Sequence, residues 1–285
     1  MTITETEHTY VCRDGNDLLA IVYRPDPMPG GPMPVVIDIH GGAWSSGHRK
    51  SGRHYDRRLA QAGFCVVSID FRQGPDFKHP AAPEDILAAI RWTRTVGLKE
   101  LGVTLSTFGL IGSSSGGHLA MYTALNANGL TEDDDDLRLI DFVIALWPVS
   151  NPIARYQYVN ARLEEPRDPA QRFHPEQLLA GHEAYFEDAS QMASAAIQQI
   201  LVDGRYSSLP ALYIVQPELD QNVPVMMSQT LRGAWMFAGG EAHYKCYAGV
   251  GHAFAHVEGP ESDECISDMI AWTRQWHDRR TAASR

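Results

Sequence analysis

The stretch GSSSG at residues 112–116 decides the fold. It follows an apolar run that ends at Ile111 and precedes a stretch of helical periodicity from Gly117. A glycine-flanked serine between a buried strand and a helix is typical of a nucleophile elbow, a sharp turn that exposes a reactive hydroxyl at the edge of a sheet. Only Ser114 has glycine two residues before it and two after it. The spacing therefore predicts Ser114 as the nucleophile; the alternative is a glycine-serine turn without chemistry.

A second glycine motif, HGGAW at residues 40–44, follows the apolar run that ends at Ile39. Successive glycines there can aim backbone N–H groups into a site, and such donors hold the oxyanion that forms when a carbonyl is attacked. We predict the N–H groups of Gly41 and Gly42 as oxyanion donors, with that of Ser115 as the third. The alternative is a flexible glycine turn.

A serine hydroxyl is a weak nucleophile at neutral pH, so a histidine must accept its proton and a carboxylate must orient that histidine. His252 lies just beyond the last predicted strand, where a loop reaches the edge that carries the serine; His256 is the alternative. Asp220 follows another predicted strand, and Glu218 is its competitor. The resulting order Ser, Asp, His is typical of the α/β-hydrolase fold.

Short apolar runs alternate with helical periodicity along most of the chain. The N-terminal residues predict a β-hairpin that turns at Asp14-Gly15. Beyond it we predict buried strands at 35–39, 65–69, 108–111, 142–146, 211–215 and 244–247, and helices near 53–62, 84–96, 117–126, 224–237 and 261–279. This order predicts an α/β protein with a doubly wound, mostly parallel sheet and right-handed crossovers.

Residues 150–208 interrupt the alternation, and a loop of that length without structure is unusual in a compact domain. We therefore predict a helical cap at 150–208 over a core formed by 1–149 and 209–285. One helix is expected to start at Asp188 or Ser190 and stop at Gly204, with a weaker candidate at 153–163. Trp44, Trp147 and Tyr156 are the predicted substrate-binding residues.

The composition limits the partners. The formal charge is −11, which disfavours nucleic acid and anionic membranes. The sequence has no basic, apolar leader and no apolar run long enough to span a bilayer, so we expect a cytoplasmic protein.

The four cysteines have no metal-binding or redox spacing. His252 and His256 lie four residues apart, but no neighbouring glutamate completes a zinc-binding pattern. No metal or cofactor is expected. The acidic run at 133–136 predicts an exposed loop.

Together these motifs resemble the hormone-sensitive-lipase-like branch of α/β-hydrolase esterases, and the HGG-x-W form is similar to arylformamidase-like and feruloyl-esterase-like hydrolases. The resemblance extends to Asp70-Phe71-Arg72 and the segment after it, and covers most of 35–254. It implies a serine carboxylesterase that acts on a small to medium ester through an acyl-enzyme. An amidase or arylformamidase is the alternative, and a non-catalytic receptor a weaker one. A homodimer that pairs through the final strand or helix is a possible assembly that the sequence does not decide.

Overall fold

The computed structural model describes residues 1–126, 140–165, 173–207 and 209–283. The acidic run at 133–136 and the predicted cap boundary at Ser208 lie outside these residues. The described part contains one eight-stranded sheet, in the order β1-β2-β4-β3-β5-β6-β7-β8. The strands are β1 (Thr2–Arg13), β2 (Asn16–Asp26), β3 (Met33–Ile39), β4 (Cys65–Ile69), β5 (Leu105–Ser113), β6 (Phe142–Leu146), β7 (Ala211–Pro217) and β8 (Ala242–Tyr247).

The sheet is antiparallel at one end and parallel elsewhere. β1 and β2 form the predicted hairpin, and Asp14 and Gly15 both have positive φ at its turn. β2 pairs antiparallel with β4, and β4, β3, β5, β6, β7 and β8 then pair in parallel. Every residue of β4 and β6 is buried, as expected for strands covered on both faces. The predicted fold class, a doubly wound and mostly parallel sheet, is confirmed.

Helices cover both faces of the sheet. They are α1 (Arg53–Gln61), α2 (Ala81–Trp92), which continues through a π-helical turn into α3 (Leu98–Glu100), α4 (Ser115–Asn126), α5 (Pro152–Asn160), α6 (Pro175–Tyr185), α7 (Ala189–Ser194), α8 (Ile197–Val202), α9 (Val225–Phe237) and α10 (Pro260–Ala283). One large buried cluster fills the side of α2, α4 and α9, and a second fills the side of α1 and α10.

The segment predicted as a cap contains α5, α6, α7 and α8. The single helix expected from Asp188 to Gly204 is wrong in one respect. Asp188 does cap α7, by accepting the N–H of Gln191 at 2.8 Å, but extended backbone at Ala196 breaks the helix before α8 begins. The N–H of Ile197 instead donates to the Ser150 carbonyl at 2.9 Å. The division into core and cap stays a prediction.

The predicted site residues lie at the carboxyl ends of the parallel strands. Ile39, which precedes the HGGAW motif, pairs with Gly112 in the neighbouring strand β5. Asp220 follows β7, and His252 follows β8. Loops after these strands therefore meet at one edge of the sheet, as expected for ligand sites in open α/β sheets. Across the described ranges, none of the helices has the length and apolarity required to traverse a bilayer.

Two buried histidines, His118 and His182, contact Trp44 where α5 to α8 pack on the sheet. The indole Nε1 of Trp44 donates to Nδ1 of His118 at 3.2 Å, and the His182 ring centroid lies 4.9 Å from that of Trp44. His79 packs against Phe186 in the same cluster. Burial lowers the pKa of His118 and His182 to about 3, and that of His79 to about 4.

These shifts predict a loss of stability on acidification. Below pH ~6.5 the unfolded chain protonates its histidines while the folded chain does not, so stability falls towards the folded pKa values, by about 1.4 kcal/mol per pH unit for each proton. His40 and His256, both with a pKa lowered to about 4 by burial, add to the effect. Burial raises the pKa of Asp38 to about 7, and its opposite contribution is lost as pH rises through 7.

We expect a lower urea midpoint at pH 5.5 than at pH 7.5, because five histidines outnumber Asp38 and its buried neighbour Asp56, whose pKa burial also raises. Asp38→Asn should enlarge the drop, since it removes one opposing proton. A midpoint that increases on acidification would show that the histidine cluster does not govern the pH dependence.

Candidate active site

Ser114 occupies a strained turn between β5 and α4. Its φ is +55°, in the left-handed region, and its N–H donates to the Leu146 carbonyl at 2.8 Å. The flanking glycines are required by close packing, because a Cβ at Gly116 would collide with the carbonyl oxygens of Ile39 and His40, and one at Gly112 with that of Gly116. Ser114 is 7% exposed and lines a cavity of about 570 Å³. This is the strained strand-turn-helix geometry of a nucleophile elbow.

The two serines beside it hold the HGGAW loop. The hydroxyl of Ser113 accepts the N–H of Gly41 at 3.1 Å, and the hydroxyl of Ser115 accepts the N–H of Trp44 at 3.2 Å. The sequence pattern did not indicate either role, because the hydroxyls of Ser113 and Ser115 were considered only as alternatives to the Ser114 nucleophile. The triple serine thus combines the candidate nucleophile with two hydroxyls that tether the neighbouring loop.

This tether changes one predicted oxyanion donor. The Gly41 N–H is already engaged by Ser113, so in this structure it does not point freely into the cavity as predicted. Gly42 and Gly41 both line the cavity, and no hydrogen bond from the Gly42 N–H occurs among the described residues. Ser115 is the first residue of α4, where N–H groups have no partner within the helix. Gly42 and Ser115 therefore stay as predicted donors.

Asp220 and His252 form a hydrogen-bonded pair. Nδ1 of His252 lies 2.8 Å from Oδ2 of Asp220, whose side chain is fully buried, whereas the His252 side chain is 17% exposed. The other carboxylate oxygen, Oδ1, accepts the N–H groups of Asn222 and Val223, both at 2.9 Å. The carboxylate is therefore fixed by its own loop and orients the imidazole, which lines the same cavity as Ser114.

The competitors are placed differently. The Glu218 carboxylate accepts the N–H of Gly249 at 2.9 Å and so serves the turn before His252. His256 lies in a 3₁₀ turn, packed 5.5 Å from Trp147 and 5.7 Å from Tyr55 between ring centroids. Its Nε2 has no hydrogen-bond partner among the described residues. The contact with Asp220 thus belongs to His252.

The three predicted substrate-binding residues do not all lie at the cavity. Trp147 lines the cavity, and its ring centroid lies 6.0 Å from that of His252. Trp44 is buried in the aromatic cluster with Tyr185, stacked 5.9 Å away, and is not among the residues that line this cavity. Tyr156 donates to Glu183 at 2.8 Å and links α5 to α6, also away from the lining. The structure therefore brings only Trp147 of the three to the cavity.

The tether by Ser115 predicts a measurable effect on rate. Ser115→Ala leaves the buried N–H of Trp44 without its acceptor, which costs about 1–3 kcal/mol. We expect a lower melting temperature and a roughly tenfold lower kcat on a 4-nitrophenyl ester, because the loop that carries Gly42 is less well positioned. Ser194→Ala, which removes an exposed hydroxyl of α7, is the control and should change neither value. Unaltered kcat in Ser115→Ala would show that the tether does not support the reaction.

The parallel sheet, the strained serine elbow and the Asp220–His252 pair define an α/β-hydrolase. The family model described as BD-FAE matches residues 22–235, and the chain belongs to this family. The resemblance to hormone-sensitive-lipase-like esterases is confirmed by the relatives below, at the level of the family.

Two curated relatives come from Mycobacterium tuberculosis. Esterase LipC is 26% identical over 91% of this chain and 62% of its own length, and esterase LipQ is 26% identical over 89% and 59%. The chain thus spans about three fifths of these relatives. A solved structure from a study of two fungal esterases of Rhizomucor miehei matches with a TM-score of 0.81 and 22% identity, over 98% of this chain and 85% of that one. That likeness supports the fold.

Proposed function

We propose that this protein is a serine hydrolase of carboxylic esters, with Ser114 as nucleophile, His252 as general base and Asp220 as the residue that orients His252. The observation that carries the proposal is the meeting of three features in one cavity: the elbow serine, an imidazole held by a buried carboxylate, and a loop with backbone donors. The names of the relatives, esterases LipC and LipQ, support the ester as the substrate class.

The reaction proceeds in two halves. His252 Nε2 accepts the Ser114 proton as Oγ attacks the ester carbonyl carbon, and the N–H groups of Gly42 and Ser115 hold the developing oxyanion. His252 then donates that proton to the departing alkoxide oxygen, which leaves as the alcohol. His252 then deprotonates a water molecule that attacks the acyl carbon, and it returns this proton to Ser114 Oγ as the acid is released. Asp220 stabilises the imidazolium through its bond to Nδ1.

The cavities suit a small to medium ester. A second cavity, of about 410 Å³, adjoins the first and shares Asn222, His252, Ala253 and His256 with it. His252 thus lines both cavities, so each adjoins the group that we propose as general base. The volumes lie within the range of about 300–1,000 Å³ that is common for small-molecule sites.

The amidase alternative uses the same groups, because an amide is cleaved once its leaving nitrogen is protonated. The test compares 4-nitrophenyl butyrate with 4′-nitrobutyranilide, which share the butyryl group and the 4-nitrophenyl ring and release 4-nitrophenolate and 4-nitroaniline, respectively. We expect at least about 100-fold higher kcat/KM for the ester. Equal or faster turnover of the anilide would overturn the ester assignment, and tight binding of both without turnover would indicate a receptor.

Location and assembly are part of the proposal. All four cysteines are free thiols, and Cys65 and Cys265 are buried. These thiols support a reducing compartment, which we propose to be the cytoplasm. We retain a homodimer paired through β8 or α10 as a proposal, which sedimentation at micromolar concentration would test.

A further inference from the structure

Arg155 is a buried cation at the wall of the candidate active site. It belongs to α5, lines the 570 Å³ cavity together with Ser114 and His252, and is 1% exposed. Its Nε donates to the carbonyl oxygen of Asn222 at 3.1 Å, and its guanidinium carbon lies 5.9 Å from the Trp44 ring centroid. These contacts hold the guanidinium between the loop of Asp220 and the HGGAW loop.

Among the described residues, no carboxylate forms an ion pair with the guanidinium of Arg155. Its Nη1 makes no hydrogen bond within the same part of the chain. Asp220 is the carboxylate whose charge acts on it, but the oxygens of Asp220 are taken by His252 and by two backbone N–H groups. Burial lowers the pKa of Arg155 to about 10, so the group remains charged near neutral pH.

A buried charge without a partner destabilises a protein by several kcal/mol, so its presence in a cavity calls for an anion from outside. The cavity has a matching charge pattern. Its described lining includes the Arg155 cation and no carboxylate, although the chain as a whole carries a formal charge of −11. Guanidinium groups bind carboxylates through two parallel hydrogen bonds, which fixes both distance and orientation.

We propose that the ester substrate carries a free carboxylate and that Arg155 binds it. The inference rests on the proposed ester hydrolase function and names its substrate class. Arg155 then acts as a specificity residue: it holds the anionic end while the ester carbonyl lies at Ser114. A neutral ester of the same shape leaves the guanidinium unpaired, and a site built for a charged group discriminates strongly against such a substrate.

The test uses two matched pairs of substrates, one for each side of the ester bond. On the acyl side, mono-4-nitrophenyl adipate is compared with 4-nitrophenyl 6-methylheptanoate, in which an isopropyl group replaces the carboxylate. On the leaving-group side, 3-acetoxybenzoate is compared with 3-acetoxybenzamide. We expect at least a tenfold higher kcat/KM for the charged member of one pair, carried mainly by KM. The pair that responds also identifies the side on which the carboxylate binds.

The variants assign that preference to Arg155. Arg155→Met keeps the length of the side chain without its charge and should bring the ratio of charged to neutral kcat/KM close to one. Arg155→Lys keeps the charge but loses the two parallel hydrogen bonds, so the ratio should fall less. Arg162→Met is the control, because Arg162 pairs with Glu165 at 2.6 Å and does not line the cavity; its ratio should match the unmodified protein.

Two results would overturn the inference while the proposed function stands. One is turnover of the neutral esters without preference for the charged member in either pair. The other is an equal loss for charged and neutral substrates in Arg155→Met, since that pattern belongs to a residue that only positions the Asp220 loop. If Arg155→Met does not fold, the wild-type ratios and Arg155→Lys decide. If none of the four esters is hydrolysed, the proposed function itself is overturned.

Discussion

Replacement of Ser114 by alanine should lower kcat on 4-nitrophenyl butyrate by about 10⁴- to 10⁶-fold, the range observed when a catalytic serine is removed. The physical reason is the loss of the hydroxyl at the turn of the elbow, which lines the cavity, whereas the hydroxyls of Ser113 and Ser115 accept N–H groups of the HGGAW loop. The protein should remain folded, because alanine at φ +55° experiences a backbone strain similar to that of serine.

The matched control is Ser267→Ala, in which an exposed hydroxyl that bonds to the Asp263 carbonyl is removed from α10. Its kcat should equal that of the unmodified protein. The melting temperature and the circular dichroism of Ser114→Ala serve as the folding check. Activity of folded Ser114→Ala above one hundredth of the unmodified value would contradict the assignment of the nucleophile.

Asp220→Asn should lower kcat by about 10⁴-fold, through the tautomer of His252. In the structure, Oδ1 of Asp220 accepts two backbone N–H groups while Oδ2 faces Nδ1 of His252. The single oxygen of asparagine must keep serving those two N–H groups, so its NH₂ group faces Nδ1. Nδ1 then has to accept, the ring proton moves to Nε2, and Nε2 cannot take the proton of Ser114.

Glu218→Gln provides the control for Asp220→Asn. Glu218 follows the same strand, but its carboxylate bonds to the Gly249 N–H and does not contact His252. We expect its kcat within about twofold of the unmodified value. Nitrogen-resolved NMR of the imidazole would check the cause, with Nδ1 protonated in the unmodified protein and Nε2 in Asp220→Asn. Comparable losses in the two variants would indicate a general effect on the loop and contradict the orienting role.

The elements that sequence patterns predicted are those governed by local rules. Buried strands such as β4 and β6 consist of short apolar runs, and the elbow is specified by glycines at fixed spacing around Ser114. The position of Asp220 after β7 and of His252 after β8 followed from the rule that parallel strands present their carboxyl ends at one edge. Sequence order was therefore sufficient to place these three residues at one edge of the sheet.

The features that the sequence did not reveal depend on contacts between distant residues. The Ser113–Gly41 and Ser115–Trp44 bonds each span about seventy residues, so no local pattern indicates that Gly41 is an engaged donor. Trp44 looked like a pocket wall beside the glycines, yet its side chain turns into the cluster of Tyr185 and His118. The sequence did not indicate a role for Arg155, because that role depends on its burial in α5 beside the cavity.

The central claim is that Ser114 is the residue acylated by substrate, and the site of covalent labelling tests it most directly. The unmodified protein is treated with a fluorophosphonate, digested and sequenced by tandem mass spectrometry, which resolves the three adjacent serines. We expect one phosphonyl group per chain, on Ser114, and no label after pre-incubation with a slowly hydrolysed ester. A label on Ser113, Ser115 or a residue outside the elbow, or no label in a protein that hydrolyses esters, would contradict it.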